Sequence, residues 1–296
     1  MLVKVTLEEV PPLTLVAGRL AGGALFLVAA LLVTGRSLVQ SRQAWAMFAV
    51  LGVVTNVFPF TMLAWGQQHI DSSLAAILVA TMPLSTVIFA HYLIAERLTI
   101  DRALGVLVGF AGVFVLIGGD LRDLAQSSTL GQLAVIGGVL GYGLGTVLAR
   151  RYLQDADPVV VAGGQLLVGA AIMAPVALVV DRPFDLAVSA KVGLAWVTLG
   201  VVSSAIAYLL FYWLLRRITA TQASMVSYLI PITALILGAL VLDERLAATS
   251  FAGLALIIAG VWVVNGGGRS LVERVRGEGD TMEVGPIGGT TESPER

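Results

Sequence analysis

Nine stretches of mostly apolar residues follow one another along the first 265 positions of this chain. A helix that crosses a lipid bilayer needs roughly 20 such residues. The stretches lie near Leu13–Thr34, Ala44–Trp65, Ser73–Ile94, Ala103–Gly118, Leu130–Ala149, Pro158–Val180, Val192–Leu214, Ala220–Leu242 and Phe251–Asn265. Their apolar residues are continuous rather than alternating, which favours helices over a β-barrel. The sequence therefore predicts an all-α polytopic membrane protein whose main partner is the lipid bilayer.

The composition excludes several other classes of protein. Only 12% of the residues are charged, whereas a soluble domain carries about 25%. The net charge of −1 offers no clustered basic face for a nucleic acid. Cysteine is absent, which excludes disulfide frameworks and thiolate metal sites. We expect neither a metal nor a cofactor.

An internal repeat organises the chain. At an offset of 148 residues, the region 52–119 aligns without gaps with 200–267. The matched pairs include Gly52 with Gly200, Trp65 with Trp213, Pro83 with Pro231, and Glu96-Arg97-Leu98 with Glu244-Arg245-Leu246. Shared hydrophobicity alone does not align prolines and Glu-Arg turns. The sequence predicts two copies, at 1–120 and 121–268, followed by a disordered cytoplasmic tail at 269–296.

The two copies differ in their number of spans. The second copy has five, whereas the first shows four, and Val3-Lys4 would match the end of the missing helix. A late start site or a truncation would explain the difference, and a genuine nine-helix protein is the alternative. Because five is an odd number, the copies would insert in opposite orientations. Inverted repeats are typical of secondary transporters, which bind substrate near the bilayer midplane.

The distribution of basic residues predicts the orientation in the membrane. With a cytoplasmic C-terminus, the inner loops and tail hold twelve Lys and Arg residues and the outer connections hold five. Without the tail the ratio is still eight to five. Because basic residues concentrate on the cytoplasmic side, the C-terminus is expected to be cytoplasmic.

Arg19 is the one charged residue well inside a predicted span. We expect its side chain to snorkel to the interface, with pairing to Glu8 or Glu9, or to a substrate carboxylate, as alternatives. Proton-driven carriers usually keep a carboxylate or histidine at depth. The lack of one here favours downhill export or exchange, and it also argues against an intramembrane enzyme.

Polar and aromatic residues inside the spans are the candidates for substrate contact. They are Asn56, Phe60, Met82, Tyr142, Tyr208, Tyr212 and Tyr228, and Gln165 also lies inside a span. For the aromatic residues, packing against lipid or against the core is the alternative. Pro83 and Pro231 are expected to remove a backbone hydrogen bond in mid-helix. They would therefore act as paired hinges or as static kinks.

Two segments closely resemble the EamA-type members of the drug/metabolite transporter superfamily. One is AYLLFYWLLRRITATQASMVSYLIPITALILGALVLDERL followed by GLALIIAGVWVV, and the other is QQHIDSSLAAILVATMPLSTVIFAHYLIAERL followed by GVLVGFAGVFVLIGG. The resemblance covers about 8–265. It implies ten helices in two inverted five-helix repeats, both termini cytoplasmic, and a central cavity lined by the first, third and fourth helices of each copy. It further implies export of amino acids or other small metabolites across a bacterial inner membrane.

These observations favour a secondary transporter for a small neutral or zwitterionic metabolite, working as a monomer or a homodimer. Glycines recur at four-residue spacing, as in Gly18/Gly22 and Gly105/Gly109, and this spacing predicts close helix packing within the molecule more than a dimer face. A non-transporting membrane scaffold or accessory protein is the alternative.

Overall fold

The computed structural model describes residues 2–97, 99–116, 128–233 and 248–265, and within these ranges the chain is all-helical without a strand. Its helices are α1 Leu2–Leu7, α2 Pro12–Val33, α3 Arg42–Gly66, α4 Ser72–Val79, α5 Met82–Ile94, α6 Ile100–Leu116, α7 Thr129–Leu153, α8 Pro158–Val180, α9 Ala190–Leu215, α10 Ala220–Ser224 and α11 Ala248–Val264. Short 3₁₀ turns lie at Pro183–Asp185, after α8, and at Met225–Tyr228, after α10.

Six described segments are long and apolar enough to cross a membrane, and they confirm the prediction of a polytopic membrane protein. They are α2, α3, the segment Leu74–Ile94, α7, α8 and α9. Helices α6 and α11 stand at two more predicted positions but have 17 residues each. The predicted span Ala220–Leu242 lies partly outside the described residues. The predicted tail at 269–296 lies entirely outside them. The count of nine spans therefore stays a prediction.

Several helices begin at a residue whose side chain caps the first turn. The Ser41 side chain accepts a hydrogen bond from the Ala44 amide at the start of α3. At the start of α8, Asp157 accepts from the Val159 amide. Thr219 and Gln222 form a capping box at α10. Such caps satisfy backbone donors that a helix leaves unpaired in its first turn.

Helices α2 and α8 pack together and are tied at both ends by polar contacts. At one end Arg36 pairs with Asp157 at 2.9 Å. At the other end Asp181 accepts hydrogen bonds from the amide and the hydroxyl of Thr14, at 2.7 and 2.8 Å. Arg36 and Asp181 each lie just beyond the C-terminal end of one helix. Their partners, Asp157 and Thr14, lie at the start of the other helix. The two helices therefore run antiparallel as a fixed pair.

Glycines bring α6 and α11 into close backbone contact. A Cβ atom added to Gly105 would lie 2.7 Å from the carbonyl oxygen of Gly260, and one added to Gly112 would lie 2.8 Å from that of Gly253. Nothing larger than glycine fits at such distances, because the backbones themselves meet there. These contacts confirm that this glycine spacing serves packing within the molecule.

The helical path is interrupted at equivalent places in the two halves. Helix α3 contains a π-helical segment at Gly52–Val57, and α9 contains one at Val201–Ile206. A π-helical turn takes one extra residue and is often found at functional sites.

A second pair of interruptions precedes the two prolines. Helix α4 ends at Val79, and Pro83 lies in the first turn of α5 rather than in mid-helix. The expectation that Pro83 costs a mid-helix hydrogen bond was therefore wrong, because an amide in the first turn has no helical partner to lose. Pro231 follows the 3₁₀ turn Met225–Tyr228, and the residues from 234 to 247 lie outside the described part of the chain.

Candidate functional site

Arg19 points into the bundle instead of toward the interface. Its Nε donates a hydrogen bond to Ser204 Oγ at 2.7 Å, and its guanidinium lies 3.7 Å above the centre of the Phe60 ring. A longer contact of 3.4 Å reaches the carbonyl oxygen of Ser203. Glu8 pairs with Lys191 instead, and the carboxylate of Glu9 accepts from the Ser189 amide. The expectations of snorkelling and of pairing with these glutamates were therefore wrong.

Aromatic rings from three helices surround this guanidinium. The Phe60 ring lies 6.2 Å from that of Tyr142 and 6.5 Å from that of Tyr208, centre to centre. Tyr208 in turn stacks on Tyr212 at 6.0 Å. Arg19 belongs to α2, Phe60 to α3, Tyr142 to α7, and the other two rings to α9. We call these five residues the central cluster.

Hydroxyl and amide groups connect the central cluster to the next helices. Tyr208 donates its hydroxyl proton to the carbonyl oxygen of Thr55 at 2.8 Å. The Oε1 atom of Gln165 accepts from Tyr212 at 2.8 Å and from the Thr55 hydroxyl at 2.9 Å. Gln165 and Thr55 are buried. These bonds fix the orientation of both tyrosine rings.

Asn56 is fully buried, and neither polar atom of its amide has a hydrogen-bond partner among the described residues. Asn56 lies in the π-helical segment of α3 and faces α8. A Cβ atom added to Gly169 of α8 would lie 3.6 Å from the Cβ atom of Asn56. Gln165 Nε2, one turn away from Gly169 on α8, is likewise buried without a partner. A buried amide without partners is costly in an apolar interior, so both groups are candidates for contact with a polar ligand.

The structure brings most of the predicted contact residues together and separates two. Phe60, Tyr142, Tyr208 and Tyr212 meet directly. Tyr228 lies in a different apolar cluster, where its hydroxyl donates to the carbonyl oxygen of Val106 at 2.7 Å. Met82 packs against a third cluster. Tyr228 is fully buried among these apolar residues, apart from the other predicted contact residues.

Sequence reasoning gave little weight to Arg19 and missed Thr55 and Ser204. The resemblance pointed to the first, third and fourth helices of each copy, whereas Arg19 and Gln165 belong to the second helices. A signal was present in the repeat. Aligning Pro12 with Pro158, an offset of 146, makes Arg19 the equivalent of Gln165, and the offset of 148 makes Asn56 the equivalent of Ser204.

Equivalent residues make equivalent contacts in the two halves. A Cβ atom added to Gly23 would lie 3.5 Å from the Cβ of Ser204, and one added to Gly169 would lie 3.6 Å from the Cβ of Asn56. Both contacts join a second helix to the π-helical segment of the other half. The central cluster therefore lies where the two halves meet.

The family model described as the EamA-like transporter family matches residues 1–118 and again 129–266. The chain belongs to this family. This match confirms the resemblance of the two repeated segments to EamA-type transporters. Because the family and the relatives are transporters, this EamA-like transporter is not an enzyme.

Several curated relatives of this EamA-like transporter carry transporter names. An uncharacterized transporter, YoaV, of Bacillus subtilis is 25% identical over 264 residues, which cover 88% of this chain and 89% of the relative. A probable terminal-alkyne amino-acid exporter of Streptantibioticus cattleyicolor is 27% identical over 221 residues, covering 74% and 72%. One crystal structure, 24% identical, covers 91% of this chain and 92% of its own, with a TM-score of 0.75. That structure shows the same fold.

Proposed function

We propose that this protein is a secondary transporter that exports small neutral or zwitterionic metabolites, such as amino acids, across a bacterial inner membrane. The observation that carries the proposal is the central cluster, in which one arginine and four aromatic rings meet inside the spans. Beside it lie buried amides that have polar atoms without a partner among the described residues. Polar groups that are expensive in a membrane interior usually mark a substrate path.

The chemistry of the cluster suits an amphipathic molecule. The rings of Phe60, Tyr142 and Tyr208 offer an apolar wall, and the Arg19 guanidinium offers hydrogen-bond donors at its edge. The name of the Streptantibioticus cattleyicolor relative describes a probable amino-acid exporter, and an amino acid with an apolar side chain would satisfy both features. The buried amide of Asn56 would meet a polar group of the same molecule.

We also propose that 1–120 and 121–268 form two inverted EamA-type repeats, of which the first shows four spans and the second five. The inverted arrangement is supported by a pair of contacts between α6 and α11 that are equivalent under the internal repeat. The contact of Gly105 with Gly260 becomes that of Gly253 with Gly112 when each residue is replaced by its equivalent 148 positions away. A two-fold relation between the halves has this consequence. In transporters of this kind the repeats rock against each other around a site at their interface.

Alternating access would need helices that bend near the site. The π-helical segments of α3 and α9 lie beside the central cluster, and the helix breaks before Pro83 and Pro231 occur in both halves. We propose these two pairs of interruptions as the places where the helices bend. The excess of Lys and Arg in the assigned inner loops supports a cytoplasmic C-terminus.

Transport by the purified protein in proteoliposomes tests the proposal. Vesicles would be loaded with each radiolabelled amino acid in turn, and loss of label would be compared with vesicles that hold no protein. We expect efflux of at least one amino acid at several times the rate measured for loaded vesicles without protein. Inserted protein that moves none of them would contradict the proposed function.

A further inference from the structure

We propose that Arg19, positioned by Ser204, binds a carboxylate group of the substrate. This inference rests on the proposed function and adds a requirement to it, namely that good substrates carry one carboxylate next to an apolar or aromatic group. The observation behind it is a guanidinium that lies inside the bundle without a counter-ion among the residues that the structure describes.

The charge of Arg19 has no acidic partner among the described residues. Ion pairs in the described part of the chain include Lys4 with Asp71, Arg36 with Asp157, Arg102 with Glu96, and Lys191 with Glu8. The titratable groups that interact with Arg19 are the phenols of Tyr142 and Tyr208, which are neutral at pH 7. A charged side chain inside a membrane-spanning bundle is costly unless it is paired. An anionic group of the substrate would remove this cost.

The hydrogen bonds of Ser204 hold the guanidinium in one orientation. The Ser204 hydroxyl donates its proton to the carbonyl oxygen of Leu199 at 2.9 Å, so its oxygen is left to accept from Arg19 Nε. The Phe60 ring covers one face of the guanidinium at 3.7 Å. Both contacts leave the edge formed by the two terminal nitrogens as the part that can receive a ligand.

Three of the five N–H groups of Arg19 remain for that ligand. An arginine has five such donors, and two are used here, toward Ser204 and toward the carbonyl oxygen of Ser203. Nη1 keeps both of its protons, and Nη2 keeps one. Two N–H groups side by side match the two oxygens of a carboxylate, which arginine binds in bidentate fashion.

The equivalent residue of the other half also has only donor atoms free. Gln165 uses Oε1 to accept from Tyr212 and Thr55, while its buried Nε2 has no partner among the described residues. The free polar atoms of both second helices are therefore N–H donors. Donors on both sides select for a substrate group that is rich in acceptors.

Binding of two probes that differ only in the carboxylate tests the inference. The probes are 3-phenylpropanoate and its neutral amide, 3-phenylpropanamide, whose phenyl ring fits the aromatic wall. Thermal-shift titration of the purified full chain in detergent would give a Kd for each. We expect the wild type to bind the carboxylate at least ten times more tightly than the amide, and Arg19→Gln to lose this preference.

Two further variants separate binding from folding. Arg217→Gln is the matched control, because Arg217 also lies over a ring, that of Trp213 at 3.9 Å, but is exposed. It should keep the wild-type preference. Arg19→Lys keeps the charge without the planar pair of donors, so the preference should shrink without vanishing. Arg19→Gln itself should melt at the wild-type temperature or above, because it removes a charge that has no acidic partner among the described residues.

Equal binding of the two probes by the wild type would overturn the inference, and so would an unchanged preference in Arg19→Gln. Counterflow in proteoliposomes distinguishes this failure from failure of the proposed function. If Arg19→Gln still moves amino acids at the wild-type rate, the carboxylate site is wrong and the transporter stands. If the wild type moves none of them, the proposed function fails, whatever the binding data show.

Discussion

Tyr208 links the two chemical parts of the site, since its ring belongs to the aromatic wall and its hydroxyl is anchored to the backbone. The hydroxyl donates to the carbonyl oxygen of Thr55 in the opposite half. Such a bond contributes about 1 kcal/mol to stability. In the proposed site, the larger contribution of this residue would be the ring surface that lies between Phe60 and Tyr212 and could contact a substrate.

Replacing Tyr208 by alanine should impair transport while leaving expression near normal. The ring is only half-buried, so its loss removes contact surface for the substrate more than it opens a void in the core. Tyr208→Phe keeps the ring and should retain most of the flux. Efflux from proteoliposomes and the yield of folded protein check both variants, and loss of folded Tyr208→Ala would make this a packing residue.

Asn56→Ala should reduce transport without lowering the melting temperature. The amide has no partner among the described residues, so removing it abolishes a desolvation cost of about 1–3 kcal/mol. Ser227→Ala is the control, because Ser227 is also buried without a partner for its hydroxyl in the described part of the chain but lies in another part of the bundle. It should leave transport unchanged. A clear drop in melting temperature for Asn56→Ala would instead assign the amide a structural role.

Single residues also mark the limit of what the sequence could predict. The aromatic members of the candidate site were predictable because they lie inside predicted spans, where the polar hydroxyl of a tyrosine must find a hydrogen-bond partner. The orientation of Arg19 was not, since a long side chain about 10 Å of helix rise from Pro12 can point either way. Packing of α2 against the π-helical segment of α9 decides this orientation, and the distance along one helix does not contain that information.

At the scale of the helices, close packing depends on glycines that face another backbone. Helix α6 meets α11 through Gly112, where an added Cβ would lie 2.6 Å from the Ile257 amide nitrogen. The spacing of the glycines predicted that such contacts exist. It did not identify the partner helix, because several spans carry glycines four residues apart.

Gly112→Ala should destabilise the protein, by about 1–3 kcal/mol as for other overpacked sites. Gly137→Ala is the matched control in α7, since the nearest heavy atom to its added Cβ is a ring carbon of Phe58 at 3.7 Å. It should be tolerated. Thermal unfolding of the two variants in the same detergent measures the difference, and equal melting temperatures would show that α6 and α11 are not held as closely as described.

The helix breaks near the two prolines were predicted in place but not in form, whereas the two π-helical segments were not predicted. The two prolines indicated where the fourth helices change direction, and the structure locates the breaks just before them. The π-helical segments had no such signal, because neither Gly52–Val57 nor Val201–Ile206 contains a proline. They arise where α3 and α9 each meet a second helix of the other half, which is a tertiary effect.

At the scale of the whole molecule, the assigned spans offer no carboxylate at depth to carry a proton. Transport should therefore persist when the proton gradient is collapsed. Efflux from vesicles with and without a protonophore measures this directly, with a substrate gradient of the same size in both. A strict dependence on the proton gradient would show that a group outside the central cluster couples proton movement to transport.

The central claim is that the cluster around Arg19 is a site reached alternately from the two sides of the membrane. The chain contains no cysteine, so Tyr142→Cys would introduce a single thiol beside Phe60. A membrane-impermeant maleimide should label it when added to either side of sealed vesicles, whereas Ser37→Cys, in the loop between α2 and α3, should be labelled from one side only. Labelling of Tyr142→Cys from neither side would contradict the account, because the cluster would then be a closed part of the core.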